Sequence, residues 1–151
     1  MKLSDNFYLA EFTNSSTATR LNIDNTAPFA VIENLKKLAS ELENVRTLLG
    51  NAPITISSGY RCLDLNTVLR SKPTSSHVSG LACDFRANSF GNPDDIVRAI
   101  VDSDINFDQV ILEFFNPNTE SGWVHFSIPK VGNEPRKQAL IIDKQGTRLY
   151  N

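Results

Sequence analysis

Two of the 151 residues are histidines. One, His77, stands in the run Ser75-Ser76-His77-Val78-Ser79-Gly80-Leu81-Ala82-Cys83-Asp84-Phe85, which sets an imidazole and a carboxylate on either side of a glycine. Gly80 can take the positive φ of a tight turn. The chain can therefore leave a loop carrying His77 and enter a strand at Leu81, with Leu81, Cys83 and Phe85 on one face and Ala82 and Asp84 on the other. A small alanine beside the carboxylate leaves room for an ion and its water. The second histidine, His125, lies in Trp123-Val124-His125-Phe126-Ser127-Ile128, where Val124, Phe126 and Ile128 make an apolar face and His125 points away from it. Two imidazoles and one carboxylate suit a borderline cation such as zinc and leave a fourth tetrahedral position for water, which is the composition of a catalytic site. One Zn2+ ion on His77, Asp84 and His125 is the expectation.

Zinc lowers the pKa of the water it holds to about 7, and a nearby carboxylate can take the remaining proton as that water attacks a peptide carbonyl. Glu113 is the candidate base. In the strand expected over 107–115 it shares a face with Ile111 and Phe115, where a carboxylate costs free energy unless it is paired, open to a cleft or near a metal. Its strand is expected to fall between those carrying Asp84 and His125. Asp108 is the alternative base. Arg61, at a strand end beside Gly59, reads by itself as a surface ion-pair partner, although its planar fork also suits a substrate carboxylate or carbonyl.

The elements that must position these groups follow from periodicity. Phe29, Ile32, Leu35, Leu38, Leu42, Val45 and Leu49 recur at helical steps over 28–49, with Gly50 placed to end the helix and Glu33, Lys36, Lys37, Glu41 and Glu43 on its solvated face. A cluster at Ser4, Asp5 and Asn6 precedes a short helix or turn that packs the aromatics of residues 7–12. Residues 13–17 read as a loop without chemistry. Strands are expected over 53–57, 81–85, 107–115 and 123–128, helices over 63–69 and from Pro93, and a closing hairpin around Asp143-Lys144-Gln145-Gly146. The fold class is α+β: one domain over 1–151, an antiparallel sheet with helices on one face and a zinc cleft on the other. It divides into a mainly helical part over about 1–50, a catalytic sheet over about 51–130 and a C-terminal hairpin over about 136–151.

Hydrophobic residues make up 40% of the chain and the formal net charge is −2. The first is enough for one self-contained core; the second supplies no basic field for nucleic acid or an anionic membrane surface. The opening residues lack the apolar core of a secretory signal and no run reaches the roughly 18 apolar residues of a span, so a soluble, cytoplasmically made chain without membrane insertion is expected. Cys62 and Cys83 are too few for a disulfide framework and read as small buried hydrophobes; a single bridge between them would add about 3 kcal/mol.

The pattern Ser-x-His-x-x-Gly-x-Ala-x-Asp, filled by Ser75, His77, Gly80, Ala82 and Asp84, resembles the zinc peptidase family of D-alanyl-D-alanine carboxypeptidases, D-Ala-D-Ala dipeptidases and phage peptidoglycan endopeptidases. The resemblance implies that Glu113 is the general base, that Trp123-Val124-His125 carries the third ligand, and that Arg61, in Ser58-Gly59-Tyr60-Arg61, holds substrate and stabilises the oxyanion. Ser75 and Trp123 would contact substrate. The opening stretch, with Asn6-Phe7, Glu11-Phe12 and Thr17-Ala18, looks like that of phage-encoded members. The partners implied are peptidoglycan stem peptides, cut by a monomeric endopeptidase or D,D-carboxypeptidase that reaches the cell wall after release or virion delivery. Two alternatives stand beside this reading: a non-catalytic binding domain that keeps zinc for structure, and a structural Cys2His2 site using Cys62 and Cys83.

Overall fold

A computed structural model describes residues 1–151. The first residues form a small ribbon, β1 (Lys2–Ser4) and β2 (Phe7–Tyr8), followed by two short helices, α1 (Leu9–Thr13) and α2 (Ser16–Arg20). Phe7 and Phe12 are fully buried and meet edge to face, as expected of the aromatics in this stretch. The long helix α3 (Phe29–Leu48) buries Leu35, Leu38, Ala39, Leu42 and Val45 along one stripe. Each of the leucine and valine side chains contributes roughly 1.5–3 kcal/mol of burial. Phe29, in the first turn, is exposed instead. Glu43 also departs from the solvated face assigned to it: its carboxylate accepts from Ser4 Oγ and from the backbone and side-chain N–H groups of Asn6, which pins the turn of the ribbon onto α3.

The remaining elements are β3 (Thr55–Ser58), α4 (Leu63–Val68), β4 (Ala82–Arg86), α5 (Pro93–Val101), β5 (Gln109–Asn116), β6 (Ser121–Ser127), β7 (Gln138–Asp143) and β8 (Gly146–Leu149). Asn92 caps α5 in a reciprocal box with Asp95, and Pro93 occupies its first turn, which is why the helix starts where it does. Six strands form one sheet in the order β3-β4-β6-β5-β7-β8. All neighbours are antiparallel except β5 and β7. The parallel pair arises because residues 128–137 carry the chain around the start of β5, so that Gln138 comes to lie beside Gln109. The expected antiparallel sheet thus holds with one parallel seam.

Alternation divides the sheet as expected. Cys83, Phe85, Val110, Leu112, Val124 and Phe126 join α3 and α5 in the core, while Asp84, Ile111, Glu113 and His125 line a cleft on the opposite face. Cys62 and Cys83 are both free thiols. Cys83 points into the core, away from Asp84, so the Cys2His2 alternative has no geometry to support it. No helix is long and apolar enough to cross a membrane.

Candidate active site

Pairing of β4 with β6 sets Asp84 directly opposite His125. Asp84 Oδ1 lies 3.1 Å from His125 Nδ1 and 3.3 Å from His77 Nε2. All three residues are buried, and one donor atom from each falls within 4.8 Å of the others. His77 arrives from the loop before β4, and the turn that returns it depends on Gly80, whose φ is +74° and where a Cβ would sit 2.8 Å from Val31 Cγ1. His77 Nδ1 is 2.7 Å from the carbonyl oxygen of Gly59. That carbonyl can only accept, so Nδ1 carries a hydrogen, and Nε2 is the nitrogen turned toward Asp84 and left to ligate a metal. Gly59 has no room for a side chain, since a Cβ there would lie 2.5 Å from Phe12 O.

The donor set fits a zinc-like ion. Bonds of about 2.0–2.1 Å to nitrogen and oxygen in a tetrahedron put neighbouring donors roughly 3.3 Å apart, and the two separations measured from Asp84 Oδ1 are 3.1 and 3.3 Å. Burial pushes the Asp84 carboxyl up, but hydrogen bonds from His125 and His77 outweigh it and hold the group well below the usual carboxylate range. Asp84 is therefore ionised at neutral pH, as a ligand must be.

Glu113 stands one row along the cleft, opposite Trp123, with Oε1 3.7 Å from His125 Nδ1. Burial first, and then the Asp84 charge, raise its pKa to about 7. Two features of this region differ from expectation. The strand carrying His125 lies between those of Asp84 and Glu113, not the Glu113 strand between the other two. The alternation also breaks after Glu113: Phe114 adopts a φ of +51°, and the β5–β6 register shifts between Glu113 and Asn116. Phe115 in consequence packs against the core, while Phe114 lines the cleft and stacks on Trp123 at 5.6 Å. Gly122 makes the bulge possible, because a Cβ there would meet Glu113 O at 2.6 Å. Arg86 holds the same corner by donating to the carbonyls of Gly122 and Glu120.

On the other wall, Arg61 donates to Ser58 Oγ at 3.1 Å and reaches Asn66 Oδ1 at 3.4 Å and Asp84 Oδ2 at 3.5 Å. The guanidinium thus takes the Asp84 oxygen that faces away from the histidines. Ser75 lines the cleft, and its Oγ accepts from the His77 backbone N–H at 3.2 Å. Asp108 is not available as a base: Arg136 donates to it from its backbone N, Nε and Nη2 at 3.2, 3.1 and 2.7 Å, and the pairing holds its pKa down. Sequence reasoning missed Asn66, which is fully buried and joins Arg61 to the carbonyl of Lys72. It also missed the part played by residues 14–17, four consecutive residues of the cleft wall. The clustering of Ser, Thr and Asn there was visible, but their apposition to the site depends on where α1 docks.

A family model described as Peptidase M15 matches residues 5–125, four-fifths of the chain. The chain belongs to that family. The matched span contains every side chain of the candidate site described above except the Arg136 partner of Asp108, and it ends on His125. M15 peptidases are zinc-dependent metallopeptidases, and the buried His77, Asp84 and His125 group is one that could hold the metal. No curated protein matches the chain.

Proposed function

We propose that this M15 chain is a zinc-dependent hydrolase of peptide bonds in the peptidoglycan stem, an endopeptidase or D,D-carboxypeptidase, with one Zn2+ held by His77 Nε2, Asp84 Oδ1 and His125 Nδ1. The observation that carries the proposal is the geometry of three converging donors beside a carboxylate, Glu113, that is otherwise unpaired and 3.7 Å from one of them. When bound, zinc supplies Lewis acidity toward a peptide carbonyl and lowers the pKa of water toward about 7. Glu113, with a pKa raised to about 7, accepts the proton of the attacking water and returns it to the leaving amine nitrogen. Arg61, braced by Ser58 and Asn66, directs its fork into the cleft, where it donates to the oxygen on which negative charge develops. Trp123 and Phe114 form an aromatic wall against which the substrate backbone lies, and Ser75 contributes a hydroxyl at the rim.

The peptidoglycan assignment is supported by the Ser-x-His-x-x-Gly-x-Ala-x-Asp pattern, and the phage-type assignment by the opening stretch through Thr17-Ala18. The chain acts as a monomer on the cell wall after release or virion delivery. The test is a digest of purified peptidoglycan with and without chelator, read by mass spectrometry. New peptide ends that vanish on chelation and return with zinc are expected. Binding to the wall with no new ends would mean a zinc-containing binding domain instead. His77→Ala is expected to lose the metal itself, measured as zinc per chain after dialysis.

A further inference from the structure

Strand register divides the cleft floor into rows. Glu113 and Trp123 form one, Ile111, His125 and Asp84 the next, and Gln109, Ser127 and Ala82 a third. Beyond the third row the cleft is lined by Arg136. This arginine is not a free surface charge. Its backbone N, Nε and Nη2 all donate to the carboxylate of Asp108, which fixes the plane of the guanidinium and leaves Nη1 without a partner in the chain. Asp108 is itself buried, so the fork is anchored from behind and open in front.

The charge of the cleft points the same way. Its lining carries four cationic side chains, Arg61, Arg70, Lys72 and Arg136, against two carboxylates, Asp84 and Glu113. Asp108 offsets the charge of Arg136 from behind, and the surplus of the cleft comes from Arg70 and Lys72. Arg61 is engaged with Asp84, whereas Arg70 and Lys72 have no ion-pair partner. With both cleft carboxylates committed to metal and base, the cleft is prepared for an anionic ligand.

We infer that Arg136 is a specificity-determining residue that recognises a free carboxylate of the substrate about three residues from the scissile bond. The spacing comes from the strand: Asp108, which anchors Arg136, lies three residues before Ile111, the β5 residue opposite His125. At about 3.3 Å per residue that is roughly 10 Å from the metal row, or about three residues of extended peptide. A planar guanidinium already oriented by a carboxylate behind it loses little further freedom on binding a second carboxylate in front. In a peptidoglycan stem the α-carboxylate of the γ-linked D-glutamate stands at that distance from the D-Ala–D-Ala bond. The inference rests on the proposed stem-peptide function with D-Ala–D-Ala as the bond that is cut.

The test compares the pentapeptide L-Ala-γ-D-Glu-L-Lys-D-Ala-D-Ala with the same peptide carrying D-Glu as its α-amide. Binding to the zinc-loaded Glu113→Gln protein is measured by calorimetry, and cleavage by the unmodified chain is measured in parallel. The free acid is expected to bind about tenfold more tightly than the amide, as one charge-assisted contact implies. Arg136→Gln in the same background is expected to abolish that difference while leaving the affinity for the amide nearly unchanged; Arg136→Lys should restore part of it. Equal affinity of the unsubstituted Arg136 protein for acid and amide would overturn the inference without any reliance on a variant's folding. An equal loss for both peptides in Arg136→Gln would also overturn it, by making the residue only a brace for the loop. If the acid binds better yet neither peptide is cut, the recognition stands and the peptidase assignment falls.

Discussion

At the scale of single residues, Glu113 carries two separable consequences. Glu113→Gln keeps the shape and the metal ligands but cannot accept a proton. Turnover is expected to fall by about 10³-fold, within the range general-base catalysis supplies, while zinc content stays at the level of the unmodified chain. Retention of near-normal rates would move the base elsewhere. The second consequence is a stability effect in the metal-free chain. Its carboxyl has a folded pKa of about 7 against an ordinary value of 4.5, so the folded state holds the proton more tightly than the unfolded one. Stability associated with this group is then full below pH 4.5 and is lost as pH rises through 7. Metal-free Glu113→Gln is accordingly expected to be more stable than the unmodified chain at pH 8, with the gap closing toward pH 4.5 in urea titrations. A gap independent of pH would show that burial of the charge is not what raises the pKa.

At the scale of elements, the hairpin of β5 and β6 is the part that aims the base. Phe114 at φ +51° and Gly122 at φ +100° form a bulge that turns Phe115 into the core and leaves Glu113 and Phe114 facing the cleft. Gly122→Ala would force a methyl group to within 2.6 Å of Glu113 O, so the backbone carrying the base must shift. The expected result is a lower kcat with little change in zinc content, because His125 lies beyond the bulge in the regular part of the pairing. Loss of metal together with activity would mean that the bulge supports the whole sheet rather than the base. This corner also marks where the sequence stops being legible. His77, Asp84, His125 and Glu113 could be read because strand alternation and a glycine turn have local signatures. The bulge has none: Phe114 and Phe115 are chemically alike, and which faces the core depends on Gly122, eight residues away and across a turn. Asn66 and Glu43 were equally hidden, since a buried asparagine and a ribbon-pinning glutamate differ from surface ones only by what folds over them.

At the scale of the molecule, the ligand strands β4 and β6 sit inside the sheet, covered by α3 and α5 on one face, and the C-terminal hairpin shields β5, the strand that bears the base. Composition and period indicated this α+β arrangement, but the parallel seam between β5 and β7 was not readable, because two adjacent apolar runs pair equally well in either direction. The hairpin is fastened to the helical face at its far end. Tyr150 donates its hydroxyl to Asp94 Oδ1 at 2.6 Å, and Arg98 lies over the ring at 5.4 Å. Burial, and next the Asp94 acceptor, raise the Tyr150 phenol above its ordinary value, so this contact holds through neutral pH and weakens only in strong alkali. Tyr150→Phe removes the hydroxyl and keeps the ring under Arg98. The loss expected is about 1 kcal/mol, or a Tm lower by roughly 2–4 °C for a chain of this size. Because the contact lies on the helical side of the sheet, away from the cleft, kcat/KM below the melting range should not change. A drop in activity at temperatures where the variant remains folded would mean that the C-terminal hairpin sets the position of Glu113 through β7, and that the sheet transmits strain from its edge to the site.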